Sequence, residues 1–250
     1  MGEVIVSMKE IVKNFPGVKA LDRVNFELRS GEVMALLGEN GAGKSTLMKI
    51  LSGVYTKDGG SMTIFGKDYE SLTPKQAQEV GVAIIHQELN MCRHLSVAEN
   101  MFLGREKVGG VVLKDREMEE EAAGILSELK IDLDPRQMVG DLPVSKQQMV
   151  EIAKALSIHA KILIMDEPTS SISNQEVEFL IKKINELRDR GMSIIYISHK
   201  MDEIFRIADE ITVLRDGKTI RTLAKDETNM EEIIELMVGR KLENQYPKQE

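Results

Sequence analysis

A glycine-rich segment at residues 38–46 has the residue types and spacing of a phosphate-binding loop. Its glycines let the backbone curl so that successive N–H groups face an anion, and a helix start adds a favourable field. We expect Lys44 to reach the β- and γ-phosphates of a nucleoside triphosphate and Ser45 to bind Mg²⁺ through its hydroxyl. The alternative is a turn that merely ends a strand. The predicted nucleotide-binding residues are Asn40, Gly41, Ala42, Gly43, Lys44, Ser45 and Thr46.

Two adjacent acids, Asp166 and Glu167, follow an apolar run at residues 162–165. Parallel sheets place their ligands at the carboxyl ends of the strands. There Asp166 is expected to hold Mg²⁺, directly or through water, and Glu167 to polarise an attacking water as general base. Such a pair alone is more often a strand end or a helix cap. The phosphate-binding loop upstream favours the catalytic interpretation.

The elements that position these residues follow from hydrophobic patterning. Apolar runs of strand length alternate with stretches of helical period, which indicates a parallel sheet covered by helices. Because the runs are continuously apolar, we predict strands buried on both faces. These strands are Val33–Leu37, Val82–Ile85 and residues 162–165 and 194–197. Residues 211–214 and 219–222 flank Asp216-Gly217, which predicts a hairpin.

Helix starts are marked by capping residues. Ser96 with Glu99, Ser173 with Glu176 and Thr228 with Glu231 have the spacing of a capping box, and Thr73 before Pro74 is a further entry signal. Between about residues 88 and 159 the strand pattern gives way to helical patterns. We predict a helical subdomain there, inserted into a core formed by residues 1–87 and 160–240, with residues 241–250 as a tail or linker.

Composition excludes several classes. The chain has 250 residues, 42% of them hydrophobic and 30% charged, which is ordinary for a soluble globular protein. Its net charge of -8 weakens any nucleic-acid function, because such binding needs clustered Lys and Arg. The single cysteine, Cys92, cannot form an intramolecular disulfide and is expected to be buried. Neither a membrane-spanning run nor a signal peptide is evident, so we expect a cytoplasmic chain.

The order of these motifs resembles that of the ATP-binding-cassette (ABC) ATPases. The order is the phosphate-binding loop, Gln87 after a strand, a helical insert, a signature region, the two acids, and Ser198-His199 after another strand. Residues 15–21, 85–89 and 196–200 resemble the monosaccharide importers of the galactose/methyl-galactoside, ribose and xylose type. The resemblance implies an α/β P-loop NTPase core with a mainly parallel sheet, an antiparallel β subdomain and an inserted helical subdomain.

The same resemblance implies roles for three more residues. Phe15 would stack on adenine, Gln87 would contact Mg²⁺ or the attacking water, and His199 would hydrogen-bond the γ-phosphate. Without the resemblance, residue type and position alone favour a core residue for Phe15, a polar strand end for Gln87 and a structural role for His199. The implied catalytic set is Glu167, His199, Gln87 and Lys44, and the implied metal set is Ser45, Gln87 and Asp166.

The implied function is ATP hydrolysis that drives monosaccharide import, with ATP and Mg²⁺ as cofactors. The implied partners are a second cassette in head-to-tail contact, membrane permease subunits and, indirectly, a sugar-binding protein, with the chain on the inner face of the membrane. Two alternatives remain at this point. One is a nucleotide-sensing regulatory module with little turnover, and the other is a cassette that acts on nucleic acid or ribosomes.

The signature segment departs from the family pattern, as does the segment at residues 170–173, where the family usually has an aspartate. Residues 142–146 stand where the family usually has Leu-Ser-Gly-Gly-Gln. Pro143 lacks both a hydroxyl and an N–H, and Val144 and Ser145 put side chains where close backbone approach is needed. We therefore expect a homodimer of this chain to hydrolyse ATP poorly, and a tandem second cassette to supply the intact signature.

Overall fold

The computed structural model describes residues 2–87, 91–109, 112–170 and 172–240. The strands are β1 Val4–Phe15, β2 Val18–Arg29, β3 Val33–Leu37, β4 Gly59–Ile64, β5 Lys67–Asp68, β6 Val82–Ile85, β7 Val108–Gly109, β8 Val112–Leu113, β9 Ile162–Asp166, β10 Ser193–Ile197, β11 Glu210–Arg215 and β12 Lys218–Ala224. The helices are α1 Lys44–Leu51, α2 Pro74–Val80, α3 Val97–Phe102, α4 Asp115–Glu128, α5 Val144–Ser157, α6 Asn174–Asp189, α7 Met201–Ile207 and α8 Met230–Val238.

A six-stranded sheet in the order β12-β11-β3-β10-β9-β6 forms the centre of the fold. All neighbouring strands are parallel except β12, which pairs antiparallel with β11. Every residue of β3 and β10 is buried, as the continuous apolar runs predicted. The predicted strands and the hairpin at Asp216-Gly217 are confirmed.

Successive residues of the central strands contribute to two separate cores. Val33, Ala35 and Leu37 face one core, which also contains apolar residues of α3, α4, α5 and α6. Met34 and Leu36 face the other, which is shared with α1 and the antiparallel strands. This alternation follows from the two-residue period of a strand. The sheet is therefore covered on both faces, and its carboxyl edge stays available for a site.

A second, antiparallel sheet has the order β2-β1-β4-β5. Only the family resemblance predicted it, because its strands do not alternate cleanly. The pairing of β1 with β2 shifts register at several points, and Glu10 has a left-handed φ of 54°. Such bulges break the two-residue period on which sequence patterning relies. Together the two sheets and their helices give the predicted α/β architecture.

Helices α3, α4 and α5 lie within the segment for which a helical subdomain was predicted. Met118, Ala122 and Leu126 of α4 are buried along one face, as its apolar stripe predicted. These helices join the core on one face of the central sheet. The short hairpin of β7 and β8 interrupts the helical segment. The tail predicted at residues 241–250 lies outside the described residues.

Three of the four predicted helix starts are confirmed. Thr73 and Ser96 form capping boxes with Gln76 and Glu99, and the Ser173 N–H donates to Glu176 Oε2 at 2.7 Å. The prediction for Thr228 is wrong by one residue.

The N-cap of α8 is Asn229, whose Oδ1 accepts from the Glu232 N–H at 3.0 Å. Asparagine caps helices more strongly than threonine.

The expectation that Cys92 is buried is also wrong, because its side chain is exposed. Within the described ranges, no helix combines the length and apolar character needed to cross a bilayer.

Candidate active site

The glycine-rich loop connects β3 to α1 at the carboxyl edge of the central sheet. Gly43 is the N-cap of α1 and has a left-handed φ of 102°. A Cβ atom there would lie 2.6 Å from Leu21 Cδ2 and 2.8 Å from the Ala20 carbonyl oxygen. At Gly41, by contrast, a Cβ would meet nothing within 4 Å. The loop thus packs tightly on β2 at Gly43 and leaves open space at Gly41. The first N–H groups of α1 point out of the helix at this position.

Lys44 lies at the first position of α1. Its Nζ donates to the carbonyl oxygens of Gly38 at 2.8 Å and Glu39 at 3.1 Å. Burial lowers the pKa of Lys44, and the nearby charges of Glu167 and Asp166 oppose that effect. The ammonium group is therefore held in the loop next to two carboxylates, where it can contact a phosphate.

Asp166 is the last residue of β9. Burial raises the pKa of its carboxyl group, a hydrogen bond with the Ser45 side chain opposes the rise, and the charge of Glu167 adds to it. The sheet thus brings the acid from β9 to the hydroxyl at the start of α1. Two oxygen donors, one from each element, face the same space.

Glu167 follows directly and has a left-handed φ of 48°, which is unusual for a residue with a Cβ. Its N–H donates to the Ile197 carbonyl oxygen at 2.9 Å. One carboxylate oxygen lies 3.5 Å from Gln87 Nε2, and the other lies 3.3 Å from His199 Nδ1. The carboxylate is therefore flanked by the ends of β6 and β10, the two strands that neighbour β9 in the sheet.

One cleft of about 540 Å³ collects most of the predicted residues. Its lining comprises Phe15, Val18, Lys19, Ala20, Asn40, Gly41, Ala42, Gly43, Lys44, Ser45, Thr46, Gln87, Asp166, Glu167, Asp216 and Gly217. His199 is outside this lining and reaches the cleft through Glu167. We call this space the nucleotide cleft.

Phe15 lies at the turn between β1 and β2 and is half-buried, not a core residue. Its ring packs edge-on against Tyr55 with the ring centroids 5.4 Å apart. The turn consists of Pro16 and Gly17, and Gly17 has a φ of 79°, as a tight turn with this sequence requires. The Phe15 side chain thus forms part of the lining of the nucleotide cleft.

Sequence reasoning missed the part of the cleft formed by Lys19, Ala20 and the Asp216-Gly217 turn. The Gly217 N–H donates to the Ala42 carbonyl oxygen at 3.3 Å, and the Gly217 carbonyl oxygen accepts from the Asp22 N–H at 2.7 Å. This turn therefore links the phosphate-binding loop to β2. The Asp-Gly pair predicted the turn, but no local signal indicated where it packs.

The segment at residues 142–146 forms the start of α5. Pro143 is the N-cap and provides no side-chain hydrogen bond, and Val144 is 39% exposed. Among the described residues that line the nucleotide cleft, none belongs to this segment. The start of α5 is thus not part of the chain's own cleft.

Two curated proteins are similar to this chain over nearly its whole length. A putative ribose/galactose/methyl galactoside import ATP-binding protein of Burkholderia ambifaria is 53% identical over 244 residues, which cover 97% of this chain and 48% of that protein. A galactose/methyl galactoside import ATP-binding protein of Mannheimia succiniciproducens is 52% identical over 245 residues, covering 98% of this chain and 48% of that protein. The chain spans about half the length of the curated relatives it matches.

A crystal structure of a nucleotide-free ATP-binding cassette from an ABC transporter has the same fold. The TM-score is 0.82 at 27% identity, and the match covers 95% of this chain and 96% of that one. The ABC transporter family matches residues 21–170, which is more than half of the chain and includes both the phosphate-binding loop and the Asp166-Glu167 pair. The chain therefore belongs to the ABC transporter family.

Proposed function

We propose that this chain binds and hydrolyses ATP as a cassette of a monosaccharide importer. The observation that carries the proposal is the position of Glu167, which is flanked by Gln87 and His199 and shares a cleft with the phosphate-binding loop. The names of the relatives support a sugar of the galactose, methyl galactoside or ribose type.

Nucleotide binding is assigned to the loop and to Phe15. The backbone of residues 40–46 would surround the phosphates, since a glycine-rich loop before a helix presents N–H groups to an anion. Lys44 would add a charge beside the terminal phosphates. Phe15 would stack on adenine, and its exposed neighbour Val18 extends the apolar part of the lining.

The donors near Asp166 fit magnesium. Ser45, Asp166 and Gln87 offer oxygen atoms, which Mg²⁺ prefers, and they are too few to form a complete protein cage. Among the described residues, no three histidine, cysteine or acidic side chains gather closely enough to hold a metal alone. This fits an ion that takes its remaining ligands from phosphates and water. When bound, it would neutralise charge on the β- and γ-phosphates.

Hydrolysis is assigned to Glu167 as the general base. Its carboxylate would accept a proton from the attacking water, and the Gln87 amide next to Oε2 would orient that water. His199 lies 3.3 Å from the other oxygen and would donate a hydrogen bond toward the γ-phosphate. Lys44 would stabilise negative charge that develops on the transferred group.

We infer the partners from a backbone contact to phosphate that is missing from this chain's own cleft. The start of α5 has side chains where a neighbouring phosphate would need bare backbone. We propose a second cassette that pairs head to tail and supplies that contact, in the same full-length chain, since the relatives are about twice as long. Permease subunits, a sugar-binding protein and a position on the inner membrane face complete the proposal, with residues 88–159 as the helical subdomain.

Calorimetry with Mg-ATP tests the binding step. We expect the parent chain to bind, and Lys44→Ala to bind at least about 10-fold more weakly because one charge contact to phosphate is lost. Lys67→Ala is the control, since the Lys67 Nζ also lies over an aromatic ring, that of Tyr69, and neither residue lines the nucleotide cleft. Absence of binding heat for the parent would refute the proposal.

ATP turnover tests the catalytic step. The assay mixes the chain with a cassette that has an intact signature and an inactive glutamine in place of its own catalytic glutamate. Glu167→Gln should keep Mg-ATP binding and lose at least about 100-fold in kcat, because the general base is gone. A Glu167→Gln rate equal to that of the parent would exclude Glu167 as the base.

A further inference from the structure

Glu203 is a buried acid of α7 that lies outside the lining of the nucleotide cleft. The residue is only 5% exposed. Its Oε2 accepts hydrogen bonds from Thr169 Oγ1 and from the Tyr196 hydroxyl, each at 2.8 Å, and Ser198 Oγ lies 3.4 Å away. One oxygen atom therefore gathers donors from two segments, the loop after β9 and the end of β10.

Lys200 balances the charge of this acid. Its Nζ lies 3.3 Å from Glu203 Oε1 and donates to the Thr169 carbonyl oxygen at 3.0 Å. A buried carboxylate is tolerated only when it is paired and hydrogen-bonded, and both conditions are met here. Burial, with the charge of Glu203 as a further cause, raises the pKa of Tyr196 far above its ordinary range, so the phenol remains a donor.

These contacts join the two loops that carry Glu167 and His199. Thr169 is two residues beyond Glu167 in the loop after β9, and Ser198 directly precedes His199 in the loop after β10. Three other contacts join the same loops: the sheet pairing of Asp166 with Ile197, the Glu167 N–H bond to the Ile197 carbonyl oxygen, and the Lys200 bond to the Thr169 carbonyl oxygen. The Glu203 carboxylate adds a tie through the side chains of both loops. The distance of 3.3 Å between His199 Nδ1 and Glu167 Oε1 depends on the spacing of these loops.

We propose that Glu203 is a positioning residue, which fixes the spacing between Glu167 and His199 by holding Thr169 and Ser198 on one carboxylate. This inference rests on the proposed hydrolytic function. Because Glu203 touches neither the phosphate-binding loop nor Phe15, its loss misplaces the base while it leaves nucleotide binding intact.

Glu203→Ala tests the proposal in the mixed-cassette turnover assay. We expect kcat, counted per nucleotide site by calorimetry, to fall about 100-fold, because a displacement of about 1 Å at the reacting groups has an effect of this size. The Kd for Mg-ATP and the KM should stay within about 2-fold of the parent values. Counting sites by calorimetry removes the contribution of unfolded protein.

Two further variants separate positioning from stability. Glu203→Gln keeps an oxygen acceptor for the three hydroxyl groups and should restore kcat to within about 10-fold of the parent. Thr169→Val removes the hydroxyl on the Glu167 side and should lower kcat about 10-fold, even if Glu203→Ala fails to fold.

The matched control is Glu178→Ala. Glu178 binds Arg206 of α7 through two hydrogen bonds of 2.7 and 2.6 Å, so its loss loosens the same helix without touching either loop. We expect its kcat to equal that of the parent. If Thr169→Val and Glu203→Ala also match the parent in kcat, the inference fails although the parent hydrolyses ATP. If the parent itself neither binds nor hydrolyses ATP, the proposed function fails first.

Discussion

The starts of α1 and α5 are two helix N-termini of one chain with opposite characters. The loop before α1 contains Gly41 and Gly43, both with positive φ, and it opens into the nucleotide cleft. The start of α5 follows Pro143 and has Val144 and Ser145 as its first residues, outside that cleft. The chain thus has glycines in the loop that would bind its own nucleotide. It has side chains at the start of α5, which would contact the nucleotide bound by a neighbouring cassette.

One half-buried charged residue of each helix shows a second difference, in hydrogen bonding. Lys44 of α1 has two carbonyl acceptors in the loop. Glu151 of α5 has a buried Oε1 that finds no hydrogen-bond partner among the described residues, and burial raises the pKa of this carboxyl group. It lines a separate cavity of about 300 Å³ between α5 and the edge strand β6. The charged group of Lys44 thus has hydrogen-bond partners within the chain, whereas Glu151 Oε1 has none among the described residues.

Of the three changes that test this difference between α1 and α5, Gly43→Ala should have the largest effect, which is on the affinity for Mg-ATP. The new methyl group would approach the Ala20 carbonyl oxygen to 2.8 Å at a left-handed φ, so the loop must shift. We expect the Kd for Mg-ATP to rise about 100-fold, as measured by calorimetry. Gly124→Ala is the control, because a Cβ there meets nothing within 4 Å. Parent-like affinity of Gly43→Ala would show that the close packing at α1 does not matter.

Restoring the family signature at the start of α5 should have a smaller effect, which is on ATP turnover. In the triple variant Pro143→Ser, Val144→Gly, Ser145→Gly, the start of α5 regains a hydroxyl and bare backbone for the phosphate of an opposing copy. We expect ATP turnover of the chain on its own to rise about 10-fold. Val144→Ala, which keeps a side chain, is the control. If the triple variant and the parent hydrolyse ATP at equal rates, the side chains at the start of α5 do not limit turnover.

Glu151→Gln should have the smallest effect, and it should depend on pH. The folded-state pKa is raised above the ordinary 4.5, so the folded protein binds a proton more tightly than the unfolded chain does. The contribution of Glu151 to the free energy of unfolding is therefore lost as pH rises from about 4.5 through that raised pKa. We expect the variant to be more stable than the parent by about 1 kcal/mol at pH near 8 and equal near pH 4, by urea unfolding. Glu79→Gln, at an exposed acid, should match the parent at both pH values.

Sequence patterning predicted the central sheet well because its strands are buried on both faces. The apolar runs that became β3 and β10 need no alternation to be recognised. The antiparallel sheet was not evident from its residues, since bulges near Glu10 interrupt its period. The start of α8 was misplaced because Thr228 and Asn229 are both capable N-caps, and local spacing alone did not decide between them.

The candidate site was likewise predicted from the sequence only in part. The phosphate-binding loop and the acids after β9 are contiguous motifs, so the sequence predicted them from local signals. Lys19 and the Asp216-Gly217 turn enter the nucleotide cleft only through the packing of distant hairpins. The network around Glu203 likewise joins residues from three elements, and a buried acid leaves no pattern that distinguishes it from a surface acid of a short helix.

The hydrogen bond from the Gly217 N–H to Ala42 has a consequence for biosynthesis. The ribosome makes residues 38–46 early, but the turn that braces them appears only after α7 and β11 have been made. A nascent chain that ends before residue 217 therefore lacks one wall of the cleft. Nucleotide capture is therefore expected to begin only after residue 217 has been made.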